Sequence, residues 1–128
     1  MDLKILNRLC EVILNYNNKK FMGKAPILED AHSEIGKQII SYGYAEKFFL
    51  DTFFNSIQTS NFFKDKIALD VGANIGNHSI YFSKYFKKVL SFEPVSRTFK
   101  ILSLNTNFAQ NIEIFNFALS DETKQSNI

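Results

Sequence analysis

Two acidic residues and two glycines are the residues of this chain best placed, by type and spacing, to hold a ligand. The apolar run Ile67-Ala68-Leu69-Asp70-Val71 stops at Gly72 and leads into Ala73-Asn74-Ile75-Gly76-Asn77. A run of this kind followed by helical spacing is a strand turning into a helix. Ligands of open α/β sheets bind beside such turns, at the carboxyl ends of strands. Gly72 would let the backbone turn sharply, and Gly76 would let the loop approach a ligand closely, because neither carries a Cβ. Asn74 tolerates a left-handed backbone better than most residues. The second acid, Glu93, follows Asp70 by 23 residues and closes the run Val89-Leu90-Ser91-Phe92.

The chemistry follows from charge. The spacing is Gly-x-x-x-Gly with Asp70 two residues ahead of Gly72, not the Gly-x-Gly-x-x-Gly of dinucleotide enzymes. A carboxylate at the strand end repels a pyrophosphate, whereas a cationic sulfonium bearing an amino group tolerates or prefers one. Asp70 therefore favours S-adenosylmethionine over NAD. Glu93 is placed to accept hydrogen bonds from both hydroxyls of a ribose. Both ligands contain that ribose, so Glu93 supports an adenosine ligand without choosing between them. The alternatives are a glycine-containing turn that binds nothing and a carboxylate that is merely solvated.

These residues need a frame. Leu3, Leu6, Leu9, Ile13 and Tyr16 have helical spacing over residues 2 to 16, and Asn15 to Pro26 reads as a loop. A short helix is expected over 31 to 41. A third follows Gly43, where Ala45, Phe49, Phe53 and Ile57, widened by Phe48, Leu50 and Phe54, suggest an apolar stripe facing the core. From residue 66 the order is strand (67–71), helix (77–86), strand (89–92), helix (96–107, Ser96 as N-cap) and strand (112–117). Short connections make the crossovers right-handed and the strands parallel. The expected fold is α/β: a partial doubly wound, Rossmann-like parallel sheet of three strands with flanking helices, preceded by an N-terminal helical segment. The expected division is a helical segment over 1–60 and a ligand-binding domain over 61–128.

The segment IALDVGANIGNHS, residues 67 to 79, resembles the first motif of class I S-adenosylmethionine-dependent methyltransferases, and more narrowly the FkbM-type family. That family shows Asp-Val-Gly-Ala-Asn-x-Gly, then Phe-Glu-Pro after the second strand, then Asn near the end of the next helix. This chain has Asp70 to Gly76, then Phe92-Glu93-Pro94, then Asn105, and later Asn116 and Ala118-Leu119-Ser120-Asp121. The resemblance spans residues 42 to 124. It implies a cofactor site of Asp70, Gly72, Ala73, Asn74, Gly76, Asn77, Glu93, Ala118 and Leu119. Asp70, Gly72 and Gly76 would contact the methionine part of S-adenosylmethionine, Glu93 the ribose, and Ala118 and Leu119 the adenine. Asn74 and Asn77 would either shape the loop or touch the cofactor. The implied activity is O-methylation of a sugar or another small metabolite, with a small-molecule or glycan acceptor. Glu46, in Gly43-Tyr44-Ala45-Glu46, resembles a family glutamate that follows Gly-Tyr, although Ala45 interrupts the match. His78, in the first turn of its helix, is read as packing or exposed and not as a catalytic base, and His32 suggests no metal site.

Composition sets the remaining bounds. At 128 residues with 45% hydrophobic and 22% charged residues, the chain suits one globular domain. A net charge of +2 with only short lysine pairs (Lys19-Lys20 and Lys87-Lys88) argues against nucleic acid as a partner. The 14 phenylalanines and the abundance of Asn, Lys and Ile read as genome bias. Cys10 is alone, and no apolar run reaches the ~18 residues of a membrane span. The expected location is cytoplasmic. The family pattern has a seven-stranded sheet, of which three strands are legible, so the expectation is a fragment or truncated product. Its open strand edge would invite self-association. A catalytically inactive remnant that binds adenosyl ligands and an NAD-dependent oxidoreductase are the competing readings. No catalytic residue is identified and no metal ligand set is visible.

Overall fold

In a computed structural model, residues 33–57 and 61–122 are described. The expected helix over 2 to 16, the loop after it, Cys10 and His32 lie outside them. The elements are α1 (Glu34–Tyr42), α2 (Lys47–Ser56), β1 (Ile67–Val71), α3 (Asn77–Phe82), β2 (Lys88–Phe92), α4 (Ser96–Thr106) and β3 (Ile112–Phe115). Helix α1 begins where Ser33 Oγ accepts from the Gly36 amide at 2.8 Å, an N-cap. It ends at Gly43, left-handed with φ 85°. Helix α4 is capped by Val95, not by Ser96. The Ser96 hydroxyl instead donates to Asn116 Oδ1 at 3.2 Å, drawn across to the segment after β3.

The strands form a parallel sheet in the order β1-β2-β3. The helices α3 and α4 of the two crossovers pack against each other and against the strands, on one face. Pleating then divides each strand. Ala68 and Asp70 of β1, with Val89 and Ser91 of β2, are buried under the helices. Ile67, Leu69 and Val71 point to the other face and stay 56%, 59% and 61% exposed. On that face Phe92 is covered by Phe115 (ring centroids 4.9 Å apart) and Phe117 (5.6 Å). The result is a three-stranded, Rossmann-like α/β sheet with helices before it and on one side.

The core unites the two expected segments. Ile39, Tyr44, Ala45, Leu50 and Phe54 pack with Ile75, Ile80 and Tyr81 in one cluster, so it runs across the boundary expected at 60/61. Phe54 stacks on Tyr85 at 4.3 Å and tilts against Tyr81 at 5.6 Å. The Tyr81 hydroxyl donates to Asp51 Oδ1 at 2.5 Å, and Lys47 pairs with the same carboxylate. Burial pushes the Asp51 carboxyl up, but the Lys47 and Tyr81 bonds outweigh it and leave it below its ordinary value. Desolvation, then the bond to Asp51, pushes the Tyr81 phenol well up.

The phenylalanine stripe of α2 differs from expectation. Leu50 and Phe54 face the core, but Phe48, Phe49 and Phe53 are exposed. The helix starts at Lys47, and residues four apart lie on one face while residues one or two apart turn away by about 100° and 200°. Leu50 and Phe54 carry the apolar contact with α3, and Asp51 beside them reaches Tyr81.

Candidate functional site

Gly72 has φ +80°, and a Cβ there would meet nothing within 4 Å, so open space lies beside it. Gly76 has φ +91°, but a Cβ there would stand 2.8 Å from Leu102 Cδ1 and 3.2 Å from Thr106 Cγ2. Its bareness lets the loop press on α4. Asn74 is left-handed, φ 51°, as its residue type allows.

The loop amides are largely used within the chain. Those of Gly72 and Ala73 both donate to Phe92 O at 2.9 Å, and that of Gly76 donates to Ala73 O at 2.8 Å. The Asn74 amide donates to Glu93 Oε2 at 3.0 Å. Ala73 is itself buried. This is not the outward cradle of N–H groups that phosphate loops present.

Glu93 directly follows β2 and is only 6% exposed. Its other oxygen, Oε1, accepts from the Val95 amide at 2.9 Å. A carboxylate has about four acceptor sites, so two backbone donors leave capacity for a diol. Asn116 holds the strand end by donating to Glu93 O at 2.8 Å and Pro94 O at 3.1 Å.

Asp70 faces inward. Its Oδ2 accepts from the Ser79 hydroxyl at 2.5 Å, and Ser79 Oγ in turn accepts from Ser91 at 2.8 Å. Burial raises its carboxyl above the ordinary value, partly offset by the Ser79 bond and by nearby His78. The carboxylate thus lies beneath α3 and ties it to β1. Asn77 is a clamp: its Oδ1 accepts from the Ala45 amide at 2.9 Å and its Nδ2 donates to Ala45 O at 3.1 Å. Both ends of that amide serve the loop's shape. Asn105 is buried and donates to Ile75 O at 2.8 Å. Ala118 and Leu119 are exposed, past the last paired residue of β3 and beyond the carboxyl end of that strand.

One relationship was not anticipated. Glu46 is left-handed, φ 55°, at the N-cap of α2, yet makes no side-chain cap there. Its carboxylate instead meets His78 Nε2 at 3.0 Å. The pair borders a cavity of about 170 Å³ together with Gln38, Asn74, Ile75 and Asn77. A larger hollow of about 550 Å³, beside Tyr42, Phe48 and Phe49, touches none of the loop residues. Among the described residues no three His, Cys, Asp or Glu side chains gather as a metal site. No helix among them is long and apolar enough to cross a membrane.

No family model matches the chain, and no curated protein matches it. Among solved structures it is similar to the YcgJ protein from Bacillus subtilis, at 18% identity and a TM-score of 0.42. That similarity covers 50% of this chain and 28% of YcgJ, so the chain spans under a third of that protein's length.

Proposed function

We propose that the turn from β1 to α3 and the end of β2 form the S-adenosylmethionine site of an FkbM-type class I methyltransferase that methylates a hydroxyl of a sugar or another small metabolite. The observation that carries the reading is the loop itself. Its amides at Gly72, Ala73, Asn74 and Gly76 are taken by Phe92 O, Glu93 and Ala73 O. A buried carboxylate stands at the next strand end. A pyrophosphate needs free N–H donors and no adjacent negative charge. A ribose needs an acceptor pair, and a sulfonium tolerates the charge.

When bound, S-adenosylmethionine supplies an electrophilic methyl group for transfer to an acceptor oxygen. The chain's own part is positioning. Glu93 accepts from the ribose hydroxyls, the open space beside Gly72 admits the ligand backbone, and Ala118 with Leu119 offers apolar surface to the adenine. Asp70 acts from beneath, fixing α3 through Ser79 and adding negative potential. Titration calorimetry with S-adenosylmethionine tests this. Binding that Glu93→Ala abolishes is expected, and absence of binding to the wild-type chain would remove the proposal.

A further inference from the structure

Among the described residues, the two non-glycine residues with a left-handed backbone are Glu46 (φ 55°) and Asn74 (φ 51°). Both border the same cavity of about 170 Å³, Glu46 from the turn into α2 and Asn74 from the turn out of β1. Asparagine adopts this backbone readily, whereas glutamate does so only where its surroundings impose it, often beside a ligand. The surroundings here are specific. Asn77 holds both backbone groups of Ala45, and the Glu46 amide donates to Gln38 Oε1 at 2.8 Å. So held, the Glu46 side chain makes no cap to its own helix and its Oε2 meets His78 Nε2 at 3.0 Å.

Of the residues lining the cavity, only Glu46 and His78 titrate. A neutral imidazole that donates through Nε2 engages one carboxylate oxygen and leaves the negative charge whole, with acceptor sites to spare. Both side chains remain accessible, at 60% for Glu46 and 39% for His78, so a ligand can reach them. The cavity adjoins the candidate site through Asn74, which lines it and whose amide donates to Glu93 Oε2 at 3.0 Å. Asp70, the acid nearest the turn in sequence, is instead engaged by Ser79 beneath α3.

Resting on the S-adenosylmethionine reading of the site, we propose that this cavity is the subsite for the amino-acid end of the ligand. Glu46 accepts from the α-ammonium, and His78 is a positioning residue that holds the Glu46 carboxylate. An α-amino group is largely protonated at neutral pH, and its bond to a carboxylate is charge-assisted. A volume of this size holds several water molecules, and so a polar headgroup of a few atoms. The turn into α2 therefore belongs to the ligand site as much as the sheet does.

Calorimetric titration of the full 128-residue chain with two ligands tests the inference. S-adenosylhomocysteine carries the amino-acid end. 5′-Methylthioadenosine has the same adenosine and thioether sulfur but ends in a methyl group. Glu46→Gln keeps the size of the side chain and removes its charge. It is expected to weaken S-adenosylhomocysteine about tenfold and to leave 5′-methylthioadenosine within about twofold. His78→Ala should cause a smaller loss with the same sparing of 5′-methylthioadenosine, and Glu93→Ala should abolish both. Thermal midpoints check that the variants fold. Unchanged binding of S-adenosylhomocysteine to Glu46→Gln, or equal weakening of both ligands, would overturn the subsite and leave the adenosyl site standing. Failure of both ligands to bind the wild-type chain would remove the site and the subsite together.

Discussion

The carboxyl end of β1 and its side away from β2 are built on opposite principles. At the carboxyl end the backbone groups beside the turn are taken: Gly72 and Ala73 by Phe92 O, Asn74 by Glu93, Ile75 O by Asn105, Ala45 by Asn77. Along the side away from β2, among the described residues, Ile67, Leu69 and Val71 are more than half exposed. A satisfied, buried polar network specifies one geometry. The first region suits a small ligand that must be met by fixed groups.

If this contrast holds, changes at the carboxyl end are costly to the fold and changes along the exposed side are not. Gly76→Ala should do most damage. It adds a collision with Leu102 and Thr106 to a φ of +91°, for a loss of about 3–5 kcal/mol visible as a lowered urea midpoint. Gly72→Ala carries the backbone strain alone and should cost about 1–2 kcal/mol. Equal losses at the two glycines would break the distinction between a packing glycine and a turning one. Asn77→Ala strands both polar groups of Ala45 and should cost about 2–3 kcal/mol, measured in the same titration.

Asp70 offers a sharper test because its sign is fixed. Burial raises its folded carboxyl above the ordinary value of 3.8. The folded chain then holds the proton more tightly than the unfolded one. The stability this residue contributes is fully present below 3.8 and is lost as pH rises through the higher folded value. Asp70→Asn, which can still accept from Ser79, should be more stable than wild type at neutral pH. The difference should close as pH falls below the ordinary carboxylate range, read from unfolding midpoints across pH. At the small end, His78→Gln breaks a half-exposed pair with Glu46 and should shift stability by about 0–1 kcal/mol. A larger loss would make that pair part of the network.

Much of this was legible in the sequence because it rests on local rules. Strand–helix alternation with short connections dictated the parallel sheet, and Asn74 took the left-handed backbone its side chain tolerates. Residues whose partners are distant in the chain were not legible. Asn77 and Ala45 are 32 residues apart, as are His78 and Glu46. No periodicity links them. Gly76 was read for its missing Cβ, but what occupies the vacant space, Leu102, belongs to a later helix. The asparagines carry the same lesson. Their abundance reads as bias, yet Asn77, Asn105, Asn111 and Asn116 each donate to main-chain carbonyls that would otherwise lie unpaired in loops. The phenylalanines of α2 point the other way: a stripe of the right spacing does not say which side meets the core.

The central claim is that the β1 turn and Glu93 take an adenosyl sulfonium ligand and not a dinucleotide. The direct measurement is calorimetric titration of the chain with S-adenosylhomocysteine, repeated in the presence of NAD and with Glu93→Ala. Binding that survives excess NAD and disappears in the variant is the predicted result. Binding displaced by NAD, or unchanged in Glu93→Ala, would contradict it.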